Sequence, residues 1–185
     1  MSIIKKIIRK IAGGGGSITP EWLRNHGALI GEDVELIDFQ CGWKDATCLQ
    51  IGNHVTLTGV TCLTHDASLK RFLGNDCNKI GRIVIGNNVF IGKQTVILPN
   101  VKIGDNVIVG VGSIVTHDIP SNSVVVGNPA KVMCSIDQFV EKHKRNMEEH
   151  PERVYTGCKK RFEMSVEELR KFNDDINGKI VYYLD

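Results

Sequence analysis

The sequence predicts a mainly β repeat fold, a coil of short strands, and three observations carry that reading. Apolar residues fall at Ile85, Ile91, Ile97, Ile103, Val109 and Val115, one every six positions without a slip. Gly86, Gly92, Gly104 and Gly110 follow four of these anchors. The position four after each anchor holds Val89, Thr95, Val101, Val107, Ser113 or Ile119, small or β-branched residues. A period of six is neither the 3.6 of a helix nor the two of simple alternation, so it demands a stacked repeat.

In such a coil the anchors point inward and each stacks on the anchor of the next turn. No single turn buries its own face, so stacking supplies the core. Asn53, Asn87, Asn88 and Asn106 join the glycines at the corners, where a positive φ is cheap for them. An earlier block continues the pattern with Ile51, Leu57 and Leu63, followed four residues later by Val55, Thr61 and Ala67. Ile30–Gly31 with Val34 reads as a further, degraded copy. The phase breaks once, between Leu63 and Ile85. The polar segment Asp66–Lys79 is therefore expected to leave the coil as a protruding loop. A long loop in a compact repeat is usually functional.

The flanks are helical in pattern. In residues 2–11, Ile3, Ile4, Ile7, Ile8 and Ile11 share one helical face opposite Lys5, Lys6, Arg9 and Lys10. Such a helix serves either as a weak foot on a membrane surface or as packing against this or a neighbouring subunit. Gly13 to Gly16 break it. A second short helix is expected at 19–27, capped by Thr19 with Pro20 in its first turn and Gly27 at its end. After Val132 the six-residue pattern stops. Ser135 with Gln138, and Ser165 with Glu168, are capping boxes that open two helices, the second ending near Gly178. These helices are expected to cap the coil or pack along its side, with the apolar tail at 180–184 docked. The expected organisation is an N-terminal segment 1–26, a coil domain 27–132 with its loop at 66–79, and a helical extension 133–185.

Composition narrows the function classes. A formal net charge of +2 lacks the basic stripe of a nucleic-acid protein. The six cysteines form no CxxC pair and follow no secretory signal, which suits scattered thiols in a reducing, cytoplasmic setting. No apolar run approaches the length that spans a bilayer, about twenty residues.

The central block resembles the hexapeptide-repeat acyltransferases. The stretch IGNNVFIGKQTVILPNVKIGDNVIVGVGSIVTHDIPSNSVVVGNPAKV is similar to galactoside and maltose acetyltransferases. The LTHDAS segment and the flanks look more like the O-acetyltransferases of surface polysaccharides. The resemblance implies a left-handed parallel β-helix, whereas the general rule for parallel crossovers gives a right hand. It also implies acetyl-coenzyme A as co-substrate, no metal, a glycan or other small acceptor, and a homotrimer with active sites between subunits. Coil sides such as Val60 and Val96 would be left partly uncovered in one chain.

The resemblance assigns roles residue by residue. His65 is the base for the acceptor hydroxyl, a task an imidazole suits because it titrates near neutrality. Asp66 either orients that imidazole or binds the sugar, and sugar binding is favoured because a carboxylate reaches its own neighbouring His poorly. Lys93 matches a serine that faces the thioester, leaving only the backbone N–H as an assured donor. Phe90 matches a tryptophan along the thiol arm, and Val111 a small residue along the pantetheine. Thr116 and His117 match a Thr–Lys pair near the nucleotide. Lys131 matches an arginine near the ribose phosphate, keeping the charge but losing the fork. His26, His54, His143 and His150 carry no assigned chemistry.

Rival functions remain open at this stage. An amino-sugar N-acetyltransferase needs a strong base less. A metal hydro-lyase resembling the γ-carbonic anhydrases needs three convergent histidines. A non-catalytic β-helix scaffold would have no use for a loop that starts His–Asp.

Overall fold

The computed structural model describes residues 18–157 and 163–184, apart from Trp43, Asn75 and Asn177. The expected helix at 2–11 and its glycine joint lie outside these residues. Helix α1 (Pro20–Asn25) opens as expected: Thr19 Oγ1 accepts from Trp22 N at 3.1 Å.

The coil then winds in successive turns. The first holds β1 (Leu29–Ile30) and β2 (Val34–Ile37). The second holds β3 (Leu49–Ile51), β4 (Val55–Thr58) and β5 (Thr61–Cys62). An arm follows, in which β6 (His65–Asp66) and β7 (Lys79–Ile80) flank a short helix α2 (Lys70–Leu73). The third turn is β8 (Ile83–Ile85), β9 (Val89–Ile91) and β10 (Val96–Ile97). The fourth is β11 (Lys102–Ile103), β12 (Val107–Val109) and β13 (Ile114–Val115). β14 (Ser123–Val126) begins a fifth, and β15 (Lys131–Ser135) folds back antiparallel on it.

Three parallel faces result: β1-β3-β8-β11, β2-β4-β9-β12-β14 and β5-β10-β13. Val84 pairs with Lys102, Val89 with Val107 and Val96 with Ile114, so one turn takes 18 residues, three six-residue units. This is the left-handed parallel β-helix that the resemblance implied. All six anchors from Ile85 to Val115 are buried, as are all six residues four positions after them.

The corners explain the glycines. A Cβ on Gly52 would stand 2.6 Å from Gly86 O, and one on Gly86 2.8 Å from Gly104 O, so this column must stay bare. Beside it runs a polar ladder. Asn53 Oδ1 accepts from Glu32 N at 2.8 Å, Asn87 Oδ1 from Asn53 N at 2.9 Å, and Asp105 Oδ1 from Asn87 N at 2.6 Å. Asn53 and Asn87 thus act through their side chains. The next residue at each corner takes the positive φ: His54, Asn88, Asn106 and Asn122 at 54–60°.

The second turn departs from the expected phase. Cys62, not Leu63, pairs with Ile97, and it is Cys62 that is buried while Leu63 is 40% exposed. Leu57 and Cys62 are five positions apart, because the corner through Gly59 (φ +55°) is one residue shorter than its counterpart between Ile91 and Ile97. A one-residue slip reverses every side chain beyond it. Val60 and Thr64 therefore turn inward, and Thr61 and Ala67 turn out. Val60, expected on an outer side, is fully buried; Val96 is half-buried.

The chain also leaves the coil twice, not once. Residues 41–48 depart after Gln40, which bridges Thr61, and rejoin at β3 through a 3-10 turn, Ala46–Cys48. The second excursion is the expected one. Its base is zipped by His65 opposite Ile80 and Asp66 opposite Lys79.

Met1–Ile136 and Asp137–Asp185 form two compact units. The second holds α3 (Ile136–Glu149, from its second residue), β16 (Val154–Thr156), α4 (Val166–Asp175) and β17 (Tyr182–Leu184). The Ser165–Glu168 box is complete, with Glu168 N donating to Ser165 Oγ at 3.2 Å and Ser165 N to Glu168 Oε2 at 2.7 Å. The apolar tail is docked, Tyr182 pairing in parallel with Val154. No helix among the described residues is long and apolar enough to cross a membrane.

Candidate active site

His65 is the first residue of the arm rather than the last of a coil strand. Its Nδ1 lies 3.0 Å from Oδ1 of Asp45, which comes from the first excursion and stands just before the Ala46–Cys48 turn, leaving its side chain free of any capping bond. The Asp45 side chain is only 16% exposed, while that of His65 is 51% exposed. An ionised carboxylate can only accept, so in the neutral ring Nδ1 carries the proton and Nε2 keeps a lone pair. Cys41 stands near Asp45. Burial, and then the Asp45 charge, push its thiol up to about 11, so it adds no charge beside the pair.

The imidazole borders a groove of about 570 Å³ lined by Leu63, Asp66, Lys79, Leu98, Asn100 and Thr116, among others. The slipped register is what exposes Leu63 on this wall.

Asp66 does not orient His65. Its Oδ2 meets Lys79 Nζ at 2.5 Å, and its Oδ1 accepts from Ser68 N at 2.8 Å. The Lys79 bond first, then Ser68, hold this exposed carboxyl down to about 2. Asp66 is thus a clasp at the arm's base as well as part of the groove wall.

The other expected residues divide into groups. Thr116 lines the groove, and its Oγ1 lies 2.8 Å from Nδ1 of the exposed His117. Phe90 stands 47% exposed on the outer side of β9. Lys93 lies in the corner before β10 and Val111, 71% exposed, in the stacked corner before β13, where Gly112 N donates to Lys93 O at 2.8 Å. Lys131 is exposed at the start of β15. Lys93 lies in the turn before β10, where Gln94 has φ +63°, and β10 runs between it and the groove residue Leu98. One chain brings His65, Asp66 and Thr116 to the same groove, whereas Phe90, Lys93 and Val111 do not line it. The described residues contain no group of three or more His, Cys, Asp or Glu placed to hold a metal.

Asp45 was not identified by the sequence reading. The signal is present, because Leu36 and Ile51 are 15 positions apart, which is no multiple of six and marks the first excursion.

A parallel coil of six-residue units can be placed by comparison with known proteins. The family described as bacterial transferase hexapeptide (six repeats) matches residues 82–117. CapG of Staphylococcus aureus is 42% identical over 131 residues, 68% of this chain and 76% of that protein. A maltose O-acetyltransferase of Clostridium difficile superposes with a TM-score of 0.53 at 36% identity, over 57% of each chain. A hexapeptide-repeat acetyltransferase of Vibrio cholerae shares the fold, with a TM-score of 0.54 at 22% identity over 73% of this chain and 94% of that one. Another curated relative, a putative acetyltransferase of Staphylococcus aureus strain MRSA252, is matched over only 35% of its length. The chain belongs to the hexapeptide-repeat transferase family. It is an acyltransferase.

Proposed function

We propose that this chain transfers an acetyl group from acetyl-coenzyme A to a carbohydrate hydroxyl, with His65 as general base. The observation that carries the reading is the His65–Asp45 contact of 3.0 Å at the edge of the groove. Asp45 fixes the ring and its tautomer, and it offsets the positive charge the ring gains during reaction. His65 Nε2 takes the acceptor's proton as the hydroxyl oxygen bonds to the acyl carbon. It returns that proton to sulfur as the carbon–sulfur bond breaks, so the base ends as it began.

The acyl donor needs cations for its phosphates and an open apolar wall for its arm. Lys93 and Lys131 are exposed cations, Phe90 and Val111 are exposed apolar side chains, and the Lys93 backbone N–H is the candidate donor to the developing oxyanion. These residues stand apart from the His65 groove on one chain. A homotrimer that sets the Lys93 corner of one copy against the His65 groove of the next unites the two halves. The Clostridium difficile neighbour, named for maltose, supports a sugar hydroxyl as acceptor.

The test is thiol release from acetyl-coenzyme A against a panel of nucleotide sugars, oligosaccharides and amino sugars. Release driven by a sugar lacking an amine is expected. Release driven by amino sugars alone would overturn the hydroxyl assignment.

A further inference from the structure

The second compact unit carries a groove of its own, about 700 Å³, between α3, the Pro151–Arg153 turn and the chain before β17. Its size is that of a small-molecule site and far exceeds a lone inorganic anion. Lys142, Arg145, Arg153 and Lys179 line it, against Glu141 and Glu149. Lys142, Arg145 and Lys179 form no ion pair among the described residues, although carboxylates lie on the same wall.

Two details give this groove a built interior. The Tyr182 hydroxyl is held from two sides, 2.9 Å from His143 Nδ1 and 2.8 Å from Asn146 Nδ2, which anchors the floor to α3. Arg153 Nε is buried yet has no hydrogen-bond acceptor. The nearest carboxylate oxygen, Glu152 Oε1, is 3.5 Å away and does not satisfy it. The rest of the Arg153 side chain, which lines the groove, is 30% exposed, so part of its guanidinium stays open to an anion.

We propose that this groove binds an anionic saccharide, a sugar unit bearing a phosphate or a carboxylate. Arginine forks match both anions with paired hydrogen bonds. The remaining volume, with the amide of Asn146 and the ring of Tyr182 on its wall, accommodates the hydroxylated ring. The site is remote in sequence from His65 and does not depend on the acyl-transfer reading.

Calorimetry on the full chain without acyl donor tests it, using glucose 1-phosphate, glucuronate, glucose and inorganic phosphate as separate probes. At least one anionic sugar should bind at least about tenfold more tightly than glucose, as a charged hydrogen bond provides. The phosphate and carboxylate arms identify which anion is read. Arg145→Glu, at an exposed position, should abolish that binding, and Arg153→Ala should weaken it at least about tenfold. Circular dichroism confirms folding of both variants, and Arg145→Glu decides the matter if Arg153→Ala does not fold. Equal binding of sugar phosphate and inorganic phosphate, binding unchanged in Arg145→Glu, or no binding of either anionic sugar would overturn the proposal.

Discussion

Asp45 and His65 are twenty residues apart and meet at 3.0 Å because each sits in an excursion from the coil, one from the first turn and one from the second. Stacking aligns the two exits, so the repeat itself builds the pair.

Asp45→Ala should therefore reduce kcat by about 10- to 100-fold while the KM for acetyl-coenzyme A changes less than about twofold. The ring would keep its place in the arm but lose its tautomer and its counter-charge. Steady-state kinetics with a hydroxyl acceptor measures this. An unchanged kcat would remove Asp45 from the catalytic machinery.

Much of this architecture was legible in the period of six. Every anchor from Ile85 to Val115 stacks as expected, both C-terminal helices form, and the apolar tail pairs within its own unit. Three things were not legible. Leu63 and Cys62 are both apolar, so the pattern did not reveal that a shortened corner had moved the interior position back to Cys62. Asp45 was hidden because its excursion lies between a degraded first turn and a regular second one. The weak anchors at Ile30 and Leu36 made the broken spacing easy to pass over. The division of donor residues from the His65 groove is a property of three-dimensional winding, and no linear spacing encodes it.

Buried hydroxyls should sort by whether they are paired. Ser113 Oγ donates to Gly110 O at 2.7 Å and accepts from Gly127 N at 3.1 Å, so Ser113→Ala should cost about 1–3 kcal/mol. Thr64 Oγ1 is buried without a partner, so Thr64→Val should be neutral or stabilise by up to about 1 kcal/mol. Guanidinium unfolding of both variants checks the contrast. A Thr64→Val loss as large as that of Ser113→Ala would contradict it.

The arm's clasp should respond to acid. Asp66 is held below its ordinary value by Lys79 and Ser68, so the clasp's contribution is complete above pH 3.8 and is lost as pH falls to about 2. Amide exchange across residues 66–80, corrected for intrinsic rates, should show protection at pH 5 that disappears near the lower value. Asp66→Asn should lack that transition. A variant with the native profile would remove Asp66 as its origin.

Lys131 should serve donor binding rather than chemistry. Lys131→Ala removes an exposed cation, so the KM for acetyl-coenzyme A should rise by about 5- to 20-fold with kcat nearly unchanged. The effect should shrink with a donor lacking the 3′-phosphate. Equal losses with both donors would place Lys131 elsewhere.

The central claim is that His65 removes the acceptor's proton, and His65→Ala tests it most directly. The paired measurement is kcat with a hydroxyl acceptor and coenzyme A affinity by calorimetry, for native and variant proteins. Base catalysis predicts a fall in kcat of about 10²- to 10⁴-fold with affinity changed less than about twofold. A fall of less than about threefold with affinity intact, well short of that range, would contradict the assignment of His65 as the base.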